Sequence, residues 1–434
     1  MHSNPSYTQA FVWIWLPDKT EPVVAGKLSL DGQNLLFNYG KSYLDRDNAI
    51  AIYDVELPLK SGIQSLSAGL NMPNCIRDAA PDAWGRRVLI NHLLGLKAAD
   101  ANNIAQLDEL TYLLEFGSDR VGALDFQHSA TEYIPRSPVN APLEELLAAA
   151  ALVEKGIPLS PELDQALHHG SSIGGARPKA LTRDGDKKYI AKFSSSTDLY
   201  SVVKAEFIAM RLAALAGLDV APVAMTQAAN KDVLLIKRFD RIHVTKGWQR
   251  KAMVSGLTLL NLDEVMARYA SYEDLAEIIR HRFRNASATL KELFSRLVFN
   301  ILCGNTDDHA RNHAAFWDGE MLSLTPAYDI CPQGRMGNEA TQAMLISGDN
   351  RMSQLTVCLD AAAHFLLSRE KARKIIEHQI EIIETNWMLV CDEANLSKTD
   401  RVLFWKRQFL NPFALQGFAE PENNHGPRDV TQDR

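Results

Sequence analysis

Gly304-Asn305-Thr306-Asp307-Asp308-His309-Ala310-Arg311-Asn312 is the stretch on which the reading of this chain turns. It leaves a segment in which Leu290, Leu293, Phe294, Leu297, Val298, Ile301 and Leu302 recur at helical spacing and so share one face. Thr289 and Glu292 stand at capping-box spacing and Gly304 supplies a stop, which predicts a helix over 290–303. Asp307 and Asn312 bracket four residues, giving D-x-x-x-x-N. Phosphoryl-transfer enzymes of the kinase type use this spacing because the Asp takes or orients the acceptor hydroxyl proton while the Asn amide oxygen reaches a magnesium ion on the phosphates. Asp308 falls one residue short of it. The alternative is a polar loop whose Asp and Asn cap a turn.

Reading outward, Tyr328-Asp329-Ile330 follows a hairpin predicted to turn at Asp318-Gly319. A kinase places its second magnesium ligand at such a post-hairpin Asp; a cap ahead of Pro332 is the plainer role. Upstream, Ser172-Ile173-Gly174-Gly175-Ala176-Arg177-Pro178-Lys179 offers small residues whose backbone N–H groups can approach phosphate oxygens. Lys192 sits in the apolar strand segment Tyr189–Phe193, and Glu206 lies on the following helix at a place to pair with it. Taken singly, a strand lysine is commonly an edge residue and a helix glutamate a solvated one. A buried strand run, Val233–Ile236, then leads into Lys237-Arg238-Phe239. The order of parts (Gly-rich loop, strand lysine, helix glutamate, hinge-like strand, D-x-x-x-x-N, hairpin, Asp) favours the kinase reading over the separate plain ones.

Composition limits the rest. The 434 residues are 46% hydrophobic and 23% charged, values of a globular chain with a real core. The formal net charge of −7 excludes a whole-molecule positive field for nucleic acid. No apolar run approaches a membrane span, and Met1-His2-Ser3-Asn4-Pro5 has neither a basic n-region nor an apolar h-region, so neither membrane nor signal peptide is expected. Cys75, Cys303, Cys331, Cys358 and Cys391 are scattered single thiols, which suit a reducing cytoplasm and read as small buried hydrophobes.

Strands are expected at 11–15, 23–30, 49–53, 179–182, 189–193 and 233–236. Helices are expected near 84–96, introduced by Ala80-Pro81-Asp82, at 143–155 and at 201–216. Beyond the hinge the chain reads as almost wholly helical. The fold class is therefore α+β, a small sheet lobe feeding a helical lobe.

The segments S-S-I-G-G-A-R-P-K, Y-I-A-K-F, L-I-K-R-F-D-R, N-T-D-D-H-A-R-N-H and T-P-A-Y-D-I resemble the HipA family of bacterial serine/threonine kinases over nearly the whole chain. V-A-G-K-L-S-L-D-G and D-A-A-P-D-A-W-G-R-R are similar to that family's N-terminal subdomain. The resemblance implies a protein-kinase-like two-lobed fold: an N-terminal β-rich subdomain over 1–125, an N-lobe over 126–243, a helical C-lobe over 244–419 and a flexible tail over 420–434. It implies Asp307 as catalytic base, Asn312 and Asp329 as magnesium ligands, and Lys192 on the ATP phosphates, with Glu206 as its ion-pair partner. The phosphate loop would run from Gly174 through Gly175, Ala176, Arg177 and Pro178 to Lys179, with Ile173 before it. Lys237, Arg238 and Phe239 would form the adenine-side hinge, with His309 and Tyr328 beside the nucleotide. Arg177-Pro178 depart from the Gln-Glu of the family's best-known member.

The resemblance further implies autophosphorylation at Ser172, with neighbouring Ser171 the other candidate, which would eject the loop; the added charge would compete with ATP phosphates. It implies a cytoplasmic toxin of a toxin–antitoxin pair, using ATP and Mg2+. Its partner would be a small helix-turn-helix, HipB-like antitoxin that supplies most of the grip on operator DNA. Its target would be a translation component such as an aminoacyl-tRNA synthetase. The basic cluster Arg369, Lys371, Arg373 and Lys374 would be either a solvated helix face or a phosphate-backbone contact. Two alternatives remain open: a small-molecule kinase of the aminoglycoside or choline type, and a catalytically silent DNA corepressor scaffold.

Overall fold

A computed structural model of the chain describes residues 7–96, 107–137, 141–168, 175–195, 198–335 and 337–418. Ser171, Ser172, Ile173, Gly174 and the tail over 420–434 lie outside the described residues.

The β-branched and aromatic N-terminal segments form β1 (Gln9–Ile14), β2 (Val23–Asp31) and β3 (Asn34–Tyr39). With β4 (Leu124–Gln127) they make an antiparallel sheet in the order β3-β2-β1-β4. Alternation buries Val12, Ile14, Leu28 and Phe37 on its inner face. A second antiparallel sheet, β5-β6-β8-β7, is built from β5 (Lys179–Asp184), β6 (Lys187–Phe193), β7 (Val223–Ala228) and β8 (Lys231–Lys237). The helix Val202–Leu215 connects β6 to β7.

Three expectations are corrected. Residues 49–53 form no strand, because tyrosine hydroxyls take their backbone groups: Tyr43 donates to the Ile50 carbonyl at 2.8 Å and Ile52 N–H donates to Tyr39 Oη at 2.9 Å. The long helix begins at Ala286 rather than 290, so Thr289 lies inside it, donating to the Asn285 carbonyl at 3.1 Å, and no capping box forms. Glu292 is instead paired with Arg296 at 2.8 Å. The chain after the hinge is also less helical than expected. It opens with the hairpin β9 (Arg241–Val244) and β10 (Gly247–Arg250), then β11 (Ala252–Ser255), which adds an edge to β12 (Ala314–Trp317) and β13 (Leu322–Leu324). Strands of three or four residues are too short to show a period, and β11 is defined by its pairing with β12 rather than by its own pattern.

The other elements match their patterns. Helices run Ala83–Leu96, Leu143–Glu154, Ala286–Cys303 and Arg369–Glu393. Gly304 ends the Ala286 helix at φ +73°, where a Cβ would meet the Gln408 carbonyl at 2.6 Å, so only glycine fits. The turn at Asp318 is closed by its carboxylate, which accepts from Glu320 N–H at 2.9 Å and Met321 N–H at 2.8 Å. The five cysteines are free and buried.

One apolar core runs from the N-terminal sheet through the Val202 helix to the C-terminal helices, so these parts are packed together. A second core collects Ala180, Ala191 and Phe193 of the middle sheet with Leu146 and Leu147, and also Trp84 and Val88 from the Ala83 helix. That helix precedes the middle sheet by some eighty residues yet packs into it. No helix among the described residues is long and apolar enough to cross a membrane.

Candidate active site

The site lies in a cleft of about 750 Å³ lined by β6, β8, the 309–312 loop and the N-terminal subdomain. Lys192 is carried by β6, an inner strand, so its ammonium is aimed by a fixed backbone and is nearly sealed from solvent. Its Nζ stands 2.6 Å from Glu206 Oε1 on the Val202 helix and also pairs with Asp329. Burial acts against the Lys192 charge, but Asp329 and Glu206 hold its pKa well above the usual lysine range. Asp329 is pushed up by burial and pulled down, to about 2, by Lys192 and Lys179. Glu206 is raised by burial against the pull of Lys192.

Asp329 is placed by long-range backbone contacts. Ala221 N–H donates to the Ala327 carbonyl at 2.9 Å and Ala327 N–H donates to the Asp219 carbonyl at 2.7 Å. Asp329 then takes a left-handed conformation, φ +58°, an uncommon backbone state for a non-glycine residue. Tyr328 donates to the Arg311 carbonyl at 2.7 Å, which ties this segment to the catalytic-loop candidate.

Within that loop the two neighbouring aspartates have opposite environments. Asp308 is 1% exposed, pairs with His313 at 3.1 Å and accepts from the Tyr272 hydroxyl. Asp307 is exposed and makes no such pair. Its pKa is raised by burial of its inner side, lowered by His309, and raised again by Asp329 and Asp308. Asn312 donates through Nδ2 to the Asp307 carbonyl at 3.2 Å, which leaves its amide oxygen for another partner. His309 N–H donates to the same Asp307 carbonyl at 2.9 Å, and His309 lines the cleft.

Asn312 and Asp329 offer oxygen donors, the chemistry of a magnesium site. Among the described residues no group of three or more His, Cys, Asp or Glu side chains could hold a metal ion. Two oxygen ligands suit magnesium, which completes its shell with substrate phosphates and water rather than with a protein cage.

The remaining expected residues divide. Gly175, Ala176, Lys179, Lys237, Arg238 and Phe239 line the cleft. Phe239 faces Tyr328 with ring centroids 5.7 Å apart. The Arg238 guanidinium is not available to a nucleotide, because it is buried between Asp119 at 3.0 Å and Asp240 at 2.8 Å. Arg241 joins the same two carboxylates and Lys188 reaches Asp119 at 2.6 Å, so this network fastens the segment after β8 to the N-terminal subdomain. Arg177 turns to Asp198 at 2.6 Å and Pro178 accepts from Phe193 N–H at 3.0 Å; neither lines the cleft.

The N-terminal subdomain supplies cleft residues to which motif spacing assigned no chemistry, among them Asp78, Asp82 and Arg86. Asp78 accepts from Ser255 N–H, Ser255 Oγ and Thr258 Oγ1, each at 2.7 Å, which docks this subdomain beside the loop. The D-A-A-P-D-A-W-G-R-R segment was the available signal, but nothing local tells which lobe its side chains face.

The chain matches the description of the HipA N-terminal domain over residues 14–127 and of the HipA-like C-terminal domain over residues 171–387. It is 26% identical over 322 residues to a Sinorhizobium fredii protein named "Putative kinase Y4mE", covering 68% of this chain and 71% of that one. It is 27% identical over 184 residues to the "Serine/threonine-protein kinase toxin HipA" of Shewanella oneidensis, covering 37% of this chain and 42% of that one. The solved complex of the Shewanella oneidensis toxin–antitoxin system, with HipA, HipB and operator DNA, has a chain of the same fold. Its TM-score is 0.65 at 20% identity, over 91% of this chain and 93% of that one.

Proposed function

The chain belongs to the HipA family, and we propose that its cleft is an ATP- and magnesium-dependent kinase site that phosphorylates a protein serine or threonine. The observation that carries this reading is Lys192, paired at once with Glu206 and Asp329 in the cleft that Asn312 also lines. An isolated strand lysine would not be clamped by two acids from distant elements. In this reading Lys192 orients the nucleotide phosphates and Asp307 accepts the acceptor hydroxyl proton, its raised pKa making it a better base than an ordinary carboxylate. Asn312 and Asp329 hold the magnesium ion, which when bound offsets charge on the transferring phosphate. Gly175, Ala176 and Lys179 cover the phosphates, and Ser172 or Ser171 is the site of autophosphorylation.

The same reading makes the protein the cytoplasmic toxin of a pair with a small DNA-binding antitoxin. Charge supports a modest direct role on DNA. Of the basic cluster, Arg369 pairs with Asp360 at 3.0 Å, Lys374 with Glu370 at 2.6 Å and Arg373 with Glu377 at 3.9 Å, on a chain of net charge −7. The antitoxin would then supply most of the contact to operator DNA. A component of translation, such as an aminoacyl-tRNA synthetase, is the target class this reading favours.

Labelled ATP, magnesium and cell lysate test it. Wild type is expected to label itself and a lysate protein, Asp307→Asn neither, and chelation of magnesium to abolish both. Label confined to a small solute would favour a small-molecule kinase. Equal silence in wild type and variant would favour a binding scaffold. Expression without antitoxin should arrest growth for wild type and not for Asp307→Ala.

A further inference from the structure

The described part of the phosphate loop is fastened at both ends by one residue from outside the kinase lobes. Trp84 N–H donates to the Gly175 carbonyl at 3.2 Å. The Trp84 indole Nε1–H donates to the Lys179 carbonyl at 2.8 Å. Trp84 is 1% exposed and packs among Ala180, Ala191 and Phe193, so its ring is fixed by the same sheet that starts at Lys179. Between the two anchors, Gly175 sits at φ +112°, and the place where its Cβ would stand is 1.9 Å from Lys179 Nζ and 3.9 Å from Asp82 Oδ2. The Lys179 ammonium is thus folded back over the loop, with the Asp82 carboxylate close by. Burial lowers the Lys179 pKa to about 8 while Asp82 works to keep it charged.

A loop of small residues has many conformations, and binding phosphate with its N–H groups requires that most be given up. Two hydrogen bonds to Trp84, one from its backbone N–H and one from its sealed indole, remove part of that freedom before the nucleotide arrives, which is preorganisation. Resting on the kinase reading above, we propose that Trp84 is a positioning residue of the phosphate loop, so that the N-terminal subdomain, and not the kinase lobes alone, sets nucleotide affinity. Trp84 does not touch the reacting atoms; it acts through the carbonyls of Gly175 and Lys179.

Trp84→Phe removes the indole donor and keeps an aromatic ring in the core. Val88→Ala, on the same helix and in the same core, serves as the matched control. Equilibrium binding of ATP with magnesium, the KM and kcat of phosphate transfer, and thermal unfolding are measured on the full chain. Trp84→Phe is expected to weaken ATP binding and raise KM for ATP about three- to tenfold, with kcat within twofold. Val88→Ala should lower the melting temperature and leave ATP binding within twofold. If Trp84→Phe binds ATP as wild type does, or if Val88→Ala weakens binding equally, the inference is overturned and the kinase reading stands. A wild type that binds no nucleotide overturns both.

Discussion

Lys192 Nζ and Glu206 Oε1 stand 2.6 Å apart, joined from a strand and the helix that follows it. Glu206 is 2% exposed, so its charge depends on that ammonium. Removing one member of a buried pair costs about 3–5 kcal/mol, because the other is left uncompensated. Lys192→Met strands the buried Glu206 and takes the ammonium from the cleft-facing Asp329, and we expect it to destabilise by about 3 kcal/mol and to abolish phosphate transfer. Glu206→Gln leaves Lys192 its second partner and should cost clearly less. Urea denaturation of the two variants gives the order; a Glu206→Gln loss equal to that of Lys192→Met would contradict it.

The adjacent aspartates of the loop should separate cleanly. Asp307→Asn is expected to lower turnover by about 10²–10⁴-fold, with little effect on unfolding, since the side chain is exposed. Asp308→Ala leaves the Tyr272 hydroxyl and His313 without their carboxylate in a dry core. It should lower stability by roughly 3 kcal/mol. Turnover and melting temperature on both proteins check the assignment, and the reverse pattern would move the base to Asp308.

If Asp307 is the base, as proposed, it should also govern an acid limb. Its folded pKa is raised, so the deprotonated base is lost on acidification earlier than for an ordinary carboxylate. The kcat/KM profile should therefore begin to fall at a pH above the usual aspartate range. His309→Gln removes a group that lowers the Asp307 pKa and should move the limb to still higher pH.

The network after β8 makes a stability prediction of its own. Burial acts to raise the Asp240 pKa, but Arg238 and Arg241 bring it down to about 2, from an ordinary value of 3.8. A lowered carboxyl pKa contributes stability above the unfolded-state value and loses it as pH falls through the folded one. Asp240 should thus contribute roughly 2 kcal/mol above pH about 4, lost between about pH 4 and pH 2. Asp240→Asn should flatten that stretch of the stability profile, as followed by urea midpoints.

Gly175→Ala tests the loop from its own side. The positive φ strains any L side chain at this position, and a methyl group would stand 1.9 Å from Lys179 Nζ, so the lysine must move. Strain of about 1–3 kcal/mol is expected, relieved by displacing the lysine. ATP binding should weaken more than global stability falls, as titration and denaturation of the same sample would show.

Local pattern was sufficient for much of this. The periodicity ending at Gly304, the strand pair about Gly185, the turn at Asp318 and the D-x-x-x-x-N interval each concern a few consecutive residues, whose dihedral preferences and faces are written in neighbouring side chains. The expected strand at 49–53 failed for the opposite reason. Its pattern was right for a sheet, but Tyr39 and Tyr43 reached its backbone groups first.

By itself, then, the sequence determined most of the helices, five of the eight strands of the two main sheets and the order of the candidate site parts, but not β3, β4 or β7. Tertiary structure alone decided which parts meet. It joined Lys192 to Asp329 across 137 positions, drew the Arg238 guanidinium away from the cleft into contact with Asp119, and laid Trp84 under a loop that begins 91 positions later (175 − 84). Such choices depend on which charges and donors are sealed from water together, a property of the packed chain that no window of neighbouring residues contains.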